Sequence, residues 1–141
     1  MRTFQAKRIA SLKNDKGVAK RLADAVKLCR NKSYWVPAAV LVAAGIDRFA
    51  GGEKIKYLRL LKTEFPGLCD HLSPAEFYSQ FRNGLIHKFS PKIHFALAND
   101  AEIGSEYVAE VAQRGTKRKM RALNVDRLIS DFLNLARKRS S

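Results

Sequence analysis

The chain has 141 residues, 46% of them hydrophobic, and carries 27 Lys and Arg against 13 Asp and Glu, a formal net charge of +14. That length suits one domain with a buried core, and that apolar content excludes disorder for most of it. Two cysteines, Cys29 and Cys69, are too few for a disulfide scaffold, and the longest apolar run, Tyr34 to Ile46, is too short for a spanning helix.

The basic N-terminus has no apolar stretch or cleavage site of a signal peptide, so a cytoplasmic protein with reduced thiols and no membrane partner is expected. The charge is unevenly spread. Residues 1–32 hold ten basic residues against Asp15 and Asp24, a net +8. Residues 33–113 hold eight against nine acids, and residues 114–141 hold nine against Asp126 and Asp131, a net +7. Basic ends around a neutral middle point to a polyanion, nucleic acid ahead of membrane surface; a merely solvated basic face is the plain alternative.

Along the chain, Phe4, Ile9 and Leu12 are anchors for a first helix ending in a turn at Asn14-Asp15-Lys16-Gly17. Val18, Leu22, Ala25, Val26 and Cys29 recur at helical spacing and predict an amphipathic helix over residues 18–30. Ser33 is placed to cap the next helix, which runs to about Phe49 and is apolar enough to be buried all round. Its small residues, Ala38, Ala39, Ala43, Ala44 and Gly45, allow neighbours to approach closely. Asp47 near its end reads first as an ion-pair or capping residue and second as a group that orients a catalytic one. Gly51-Gly52 stops this helix, and Glu53 to Phe65 is helical again, with Ile55, Leu58, Leu61 and Phe65 inward. Cys69-Asp70-His71 then stands in a loop, without the second ligand pair that a zinc site requires.

Phe77 to Phe89 reads as one helix, started by Ser73-Pro74 and stopped before Pro91, with Glu76 completing a capping box. At about 100° per residue, Phe77, Tyr78, Phe81, Leu85 and Phe89 share an arc of roughly 120°, and Glu76, Gln80, Asn83 and His87 lie opposite. Arg82 is at the margin, about 140° from His87 by the same count. Beyond Pro91 the period changes to two: Ile93, Phe95 and Leu97, then Tyr107 to Val111, predict a β-hairpin. Arg114 to Arg121 is a basic turn or arm. Leu123 or Asn124 opens the last helix, with Val125, Leu128, Ile129, Phe132, Leu135 and Ala136 inward, and residues 137–141 form a basic flexible tail. The expected fold is mainly α: one domain over 1–141, an up-and-down bundle of about four or five helices with a small β-hairpin insertion.

The segment Phe-Tyr-Ser-Gln-Phe-Arg82-Asn83-Gly-Leu-Ile-His87 resembles the signature of the HEPN superfamily, an arginine commonly followed by a polar residue and then a histidine a few positions on. The runs Ala44-Gly45-Ile46-Asp47-Arg48-Phe49 and Leu123-Asn124-Val125-Asp126-Arg127-Leu128 also resemble one branch of it. The resemblance implies a helical bundle, homodimeric across the motif helix, and a metal-independent endoribonuclease with Arg82, Asn83 and His87 as catalytic residues and no cofactor. It further implies a toxin whose antitoxin is frequently a nucleotidyltransferase-like protein.

The chemistry is consistent with these residue types. Histidine transfers protons near neutrality, and arginine forks onto two phosphate oxygens. One histidine per chain cannot serve as both base and acid, so two copies about a two-fold axis suit the reaction. Lys88, Lys117, Arg118, Lys119 and Arg121 are candidates to hold the RNA through its phosphates. Other readings are a catalytically silent HEPN module that binds nucleic acid or a nucleotide, and a protein-interaction bundle.

Overall fold

The computed structural model describes residues 14–92, 94–113 and 115–141. The chain is mainly helical, a bundle carrying one small three-stranded sheet. In chain order the elements are α1 (Asp15–Asn31), α2 (Trp35–Phe49), α3 (Lys54–Glu64), α4 (Pro66–Cys69) and α5 (Pro74–Phe77), then a π-helical turn (Tyr78–Arg82). There follow α6 (Asn83–Lys88), β1 (Phe95–Ala98), α7 (Asp100–Ile103), β2 (Val108–Ala112), β3 (Lys119–Asn124) and α8 (Val125–Ser140). The helix expected among residues 1–13 lies outside the described residues.

Local chemistry sets the ends of these elements. Asn14 is the cap of α1, its side chain accepting from the Gly17 amide at 2.7 Å, so the expected turn at Asn14–Gly17 is instead the first turn of α1. Ser33 does not cap α2. It takes a left-handed conformation, φ 58°, that ends α1, and the Tyr34 amide returns to the Cys29 carbonyl at 2.8 Å.

α2 is the centre of the core. Ala38, Ala39, Val42, Ala43 and Ile46 are fully buried, and Gly45 lets α8 come close: a Cβ there would stand 2.5 Å from Cζ of Phe132. The helix is not buried all round, because its first turn protrudes, with Tyr34 55% and Val36 41% exposed. In α3 the inward face is Tyr57, Leu61 and the following Phe65, whereas Ile55 is 73% exposed. The helix is rotated from its expected setting because the Tyr57 hydroxyl donates to the buried Ala43 carbonyl and its ring meets Tyr78 edge-on.

The β insertion differs from a simple hairpin between the two expected strands. β3 is central, parallel to β1 and antiparallel to β2, so Phe95 pairs with Arg121 and Val108 with Leu123. Part of the expected basic arm, Lys119 to Arg121, is therefore strand. β3 passes directly into α8 through Asn124. This fully buried residue accepts from the Asp126 and Arg127 amides and donates to Asp100 and to the Gly104 and Glu106 carbonyls. α8 continues through Ser140, so residues 137–140 are its last turn rather than a tail. Lys138 reaches Glu64 at 2.8 Å, and Arg139 lies over the Phe49 ring. Among the described residues no helix is long and apolar enough to cross a membrane.

Candidate functional site

The motif segment runs from Pro74 to Lys88 in three contiguous pieces, α5, the π turn and α6. Ser73 caps its start by accepting from the Glu76 amide at 3.1 Å, and Pro74 takes the first helical position. Phe77, Phe81 and Leu85 are fully buried; the first two rings stack at 5.7 Å, and Phe81 meets Phe95 of β1 edge-on at 4.9 Å. The expected apolar face thus holds over the first two turns. Phe89 departs from it: it ends the helix with φ 55° and is 66% exposed.

Within the π turn the Asn83 amide bonds to the Tyr78 carbonyl, five residues back. The chain leaves α6 at Phe89 and folds back along the same helix. The Ser90 amide donates to the Gly84 carbonyl at 3.3 Å, and the Lys92 amide donates to the Gln80 carbonyl at 3.0 Å. Gly84 permits this return, since a Cβ there would clash with the Ser90 carbonyl and stand 3.0 Å from Cα of Pro91. Gly84 is therefore covered by its own chain, not left open for a neighbour.

The returning segment and the helix enclose a cleft of about 590 Å³ lined by Asn83, His87, Lys88, Ser90, Pro91 and Lys92, with Gly84 at its floor. His87 and both lysines are exposed. The cleft thus carries one imidazole, two exposed cations and an amide, a set suited to an anion and to proton transfer.

Arg82 does not line this cleft. It turns to the other side of the helix, where Nε and Nη2 donate to Oδ2 of Asp47 at 3.0 and 2.7 Å. Its guanidinium carbon lies 4.8 Å from the Tyr78 ring centroid. Burial lowers the pKa of this guanidinium, but the hydrogen bond and charge of Asp47 outweigh it and hold the value raised. Asn83 joins the two sides: its Oδ1 accepts from Nη1 of Arg82 at 2.8 Å while the residue also lines the His87 cleft. With Oδ1 so used, the amide nitrogen of Asn83 is left to donate.

The proposed RNA-holding cations separate into three groups. Lys88 is at the His87 cleft. Lys117, Arg118 and Lys119 are exposed at the tip of the β2–β3 hairpin, shaped by Gly115 at φ 78° and by the Gln113 amide bonding to the Arg118 carbonyl at 2.8 Å. Arg121 is engaged otherwise. Nη1 donates to Glu76 at 3.1 Å, Nη2 donates to the His71 carbonyl, and the side chain covers Phe95, so it ties β3 to the motif segment.

Lys92 and Ser90 were not among the expected site residues. They flank Pro91, the proline that stops the helix, and only the backbone path over Gly84 brings them to the His87 cleft. Cys69, expected in a loop, is instead the last residue of α4; it donates its thiol toward the Leu61 carbonyl at 3.4 Å, and burial pushes its pKa up. Among the described residues no three His, Cys, Asp or Glu side chains are grouped as metal ligands. Compared with models of known families, with curated proteins and with solved structures, the chain finds no match.

Proposed function

We propose that the chain is a metal-independent endoribonuclease of HEPN type, acting as a homodimer that brings two His87 clefts together. The observation that carries the reading is the cleft itself: an exposed imidazole beside Lys88, Lys92 and an amide whose oxygen is already occupied by Arg82. In the reaction, one His87 takes the proton of a ribose 2′-hydroxyl, and the oxygen attacks the adjacent phosphorus. The bond from phosphorus to the 5′-oxygen breaks, and the second His87 returns a proton to that oxygen. The products are a 2′,3′-cyclic phosphate and a 5′-hydroxyl.

Lys88 and Lys92 neutralise the phosphorane, and Asn83 donates to one of its oxygens. Arg82, held by Asp47 outside the cleft, acts as a positioning residue: it occupies the Asn83 amide oxygen and leaves the amide nitrogen to donate. Phe89, 66% exposed beside His87, gives the second copy an apolar surface to cover. A toxin role beside a nucleotidyltransferase-like antitoxin fits the resemblance of the motif. End-group analysis of RNA fragments tests the reading: cyclic phosphate ends that persist in chelator support it, and 3′-hydroxyl ends contradict it.

One observation favours a second reading. Arg82 is held by Asp47 on the far side of the helix, which suits a silent nucleic-acid-binding HEPN module. Such a module binds RNA without turnover.

A further inference from the structure

Five arginines are paired: Arg48, Arg82, Arg121, Arg127 and Arg139 each stand within 4.0 Å of a carboxylate. A different set of cations gathers away from His87. α1 and α8 pack side by side and antiparallel, with Arg139 lying 4.0 Å from Asp15 at one end. Their flanks form a cleft of about 570 Å³ lined by Lys16, Lys20, Asp24 and Lys27 of α1 and by Asn134 and Arg137 of α8.

Lys16, Lys20 and Lys27 fall within roughly 40° of one another at about 100° per residue, and at about 1.5 Å rise they are spaced about 6 and 10.5 Å along the axis. Neither these lysines nor Arg137 pairs with a carboxylate among the described residues, and the undescribed positions contain no Asp or Glu. Asp24 is the lone acid lining the cleft, against four cations. The start of α1 lies beside the end of α8, so their dipole ends offset and the attraction comes from side chains. Gathering these cations raises the local potential, and a polyanion relieves it.

The lining contains no aromatic residue on which a base could stack. A base-paired stem presents its phosphates outward without unstacking, and such stems are recognised by backbone and shape. We propose that the α1–α8 cleft is a second RNA site, holding the phosphodiester backbone of a stem without reading its sequence. The choice of RNA rests on the ribonuclease reading; the site itself rests on the arrangement of the cations.

The test is fluorescence anisotropy of a labelled RNA hairpin titrated with salt, using the full chain. Against wild type, Lys16→Gln/Lys20→Gln/Lys27→Gln should bind at least tenfold more weakly, with a log–log salt slope shallower by about 2 to 3. Lys117→Gln/Arg118→Gln/Lys119→Gln is the comparison for the hairpin tip. If the triple lysine variant does not fold, Lys20→Gln alone should flatten the slope by about 1. Unchanged affinity and slope in a folded variant overturn this inference and leave the His87 reading standing. Binding through the cleft by a wild type that never cleaves overturns the ribonuclease reading and leaves the inference standing. Capture of phosphatidylserine vesicles without RNA binding overturns the inference in favour of a membrane surface.

Discussion

Arg82 and Asp47 are joined by two hydrogen bonds to one carboxylate oxygen, Nε at 3.0 Å and Nη2 at 2.7 Å, across 35 positions of sequence. The pair ties the motif segment to the end of α2. Both side chains are largely covered, at 18% and 23% exposure, so the bonds are charge-assisted and only weakly screened. The same pair sets Asn83, because the guanidinium also holds its amide oxygen.

Removing either partner should therefore destabilise the fold. Asp47→Ala leaves a covered guanidinium short of its acceptor, at a cost of about 1.5–3 kcal/mol. Arg82→Ala should cost a similar amount, and the double variant should cost less than the two together, with a coupling of about 0.5–3 kcal/mol. Urea unfolding of the four proteins measures this cycle. Strict additivity would mean that the two residues do not interact in solution.

Gly84→Ala tests the return segment. The added Cβ meets backbone of Ser90 and Pro91, which cannot swing aside as a flexible side chain would. The segment must lift, at about 1–3 kcal/mol, carrying Ser90 and Lys92 away from His87. Cleavage and RNA binding should both fall at least tenfold in a protein whose circular dichroism is unchanged. Full activity would show that this wall of the cleft is dispensable.

Two carboxylates near α8 should respond to pH with opposite signs. The hydrogen bond from Arg127, then that from Asn124, holds the Asp100 carboxyl below its ordinary range. Its contribution to stability is present above the unfolded-state pKa and is lost as pH falls through the folded value. Burial pushes the Asp131 carboxyl up, against the Tyr107 hydroxyl bond and the Arg127 charge. Its contribution is greatest below the unfolded-state pKa and is lost as pH rises through the folded value. Asp100→Asn should lower the melting temperature at neutral pH, Asp131→Asn should raise it, and both differences should shrink toward acid. Thermal melts in buffered salt from acid to neutral check the signs, and differences that persist unchanged at acid pH would rule out this linkage.

The helical bundle was legible because long periodic segments dominate it: Phe77, Phe81 and Leu85, or Leu128, Ile129 and Phe132, repeat at helical spacing and are all buried. The cap at Ser73 was legible too, since a short polar side chain before a periodic run suits that use, although Ser33, read on the same ground, takes a left-handed conformation instead. What spacing could not give was rotation and return. Ile55 and Tyr57 are both plausible core residues, and the choice is made by the Ala43 carbonyl on another helix. The strand order depends on parallel pairing of β1 with β3, a long-range contact that alternation does not encode. At the site, the π turn and the backbone fold over Gly84 decide that Lys92 joins His87 and that Arg82 does not. Arg121 read as a free cation because its acceptors, Glu76 and His71, lie far away in sequence.

The most direct test of the account is single-turnover cleavage of a structured RNA by wild type and by His87→Ala, in chelator, with both proteins shown to be folded. His87 is exposed and belongs to no buried cluster, so its loss should leave the melting temperature within about 0.5 kcal/mol equivalent of wild type. Wild type should produce 2′,3′-cyclic phosphate ends, and the variant should be slower by a factor of about 100 or more. Undiminished cleavage by His87→Ala would contradict the assignment of this cleft as the catalytic site.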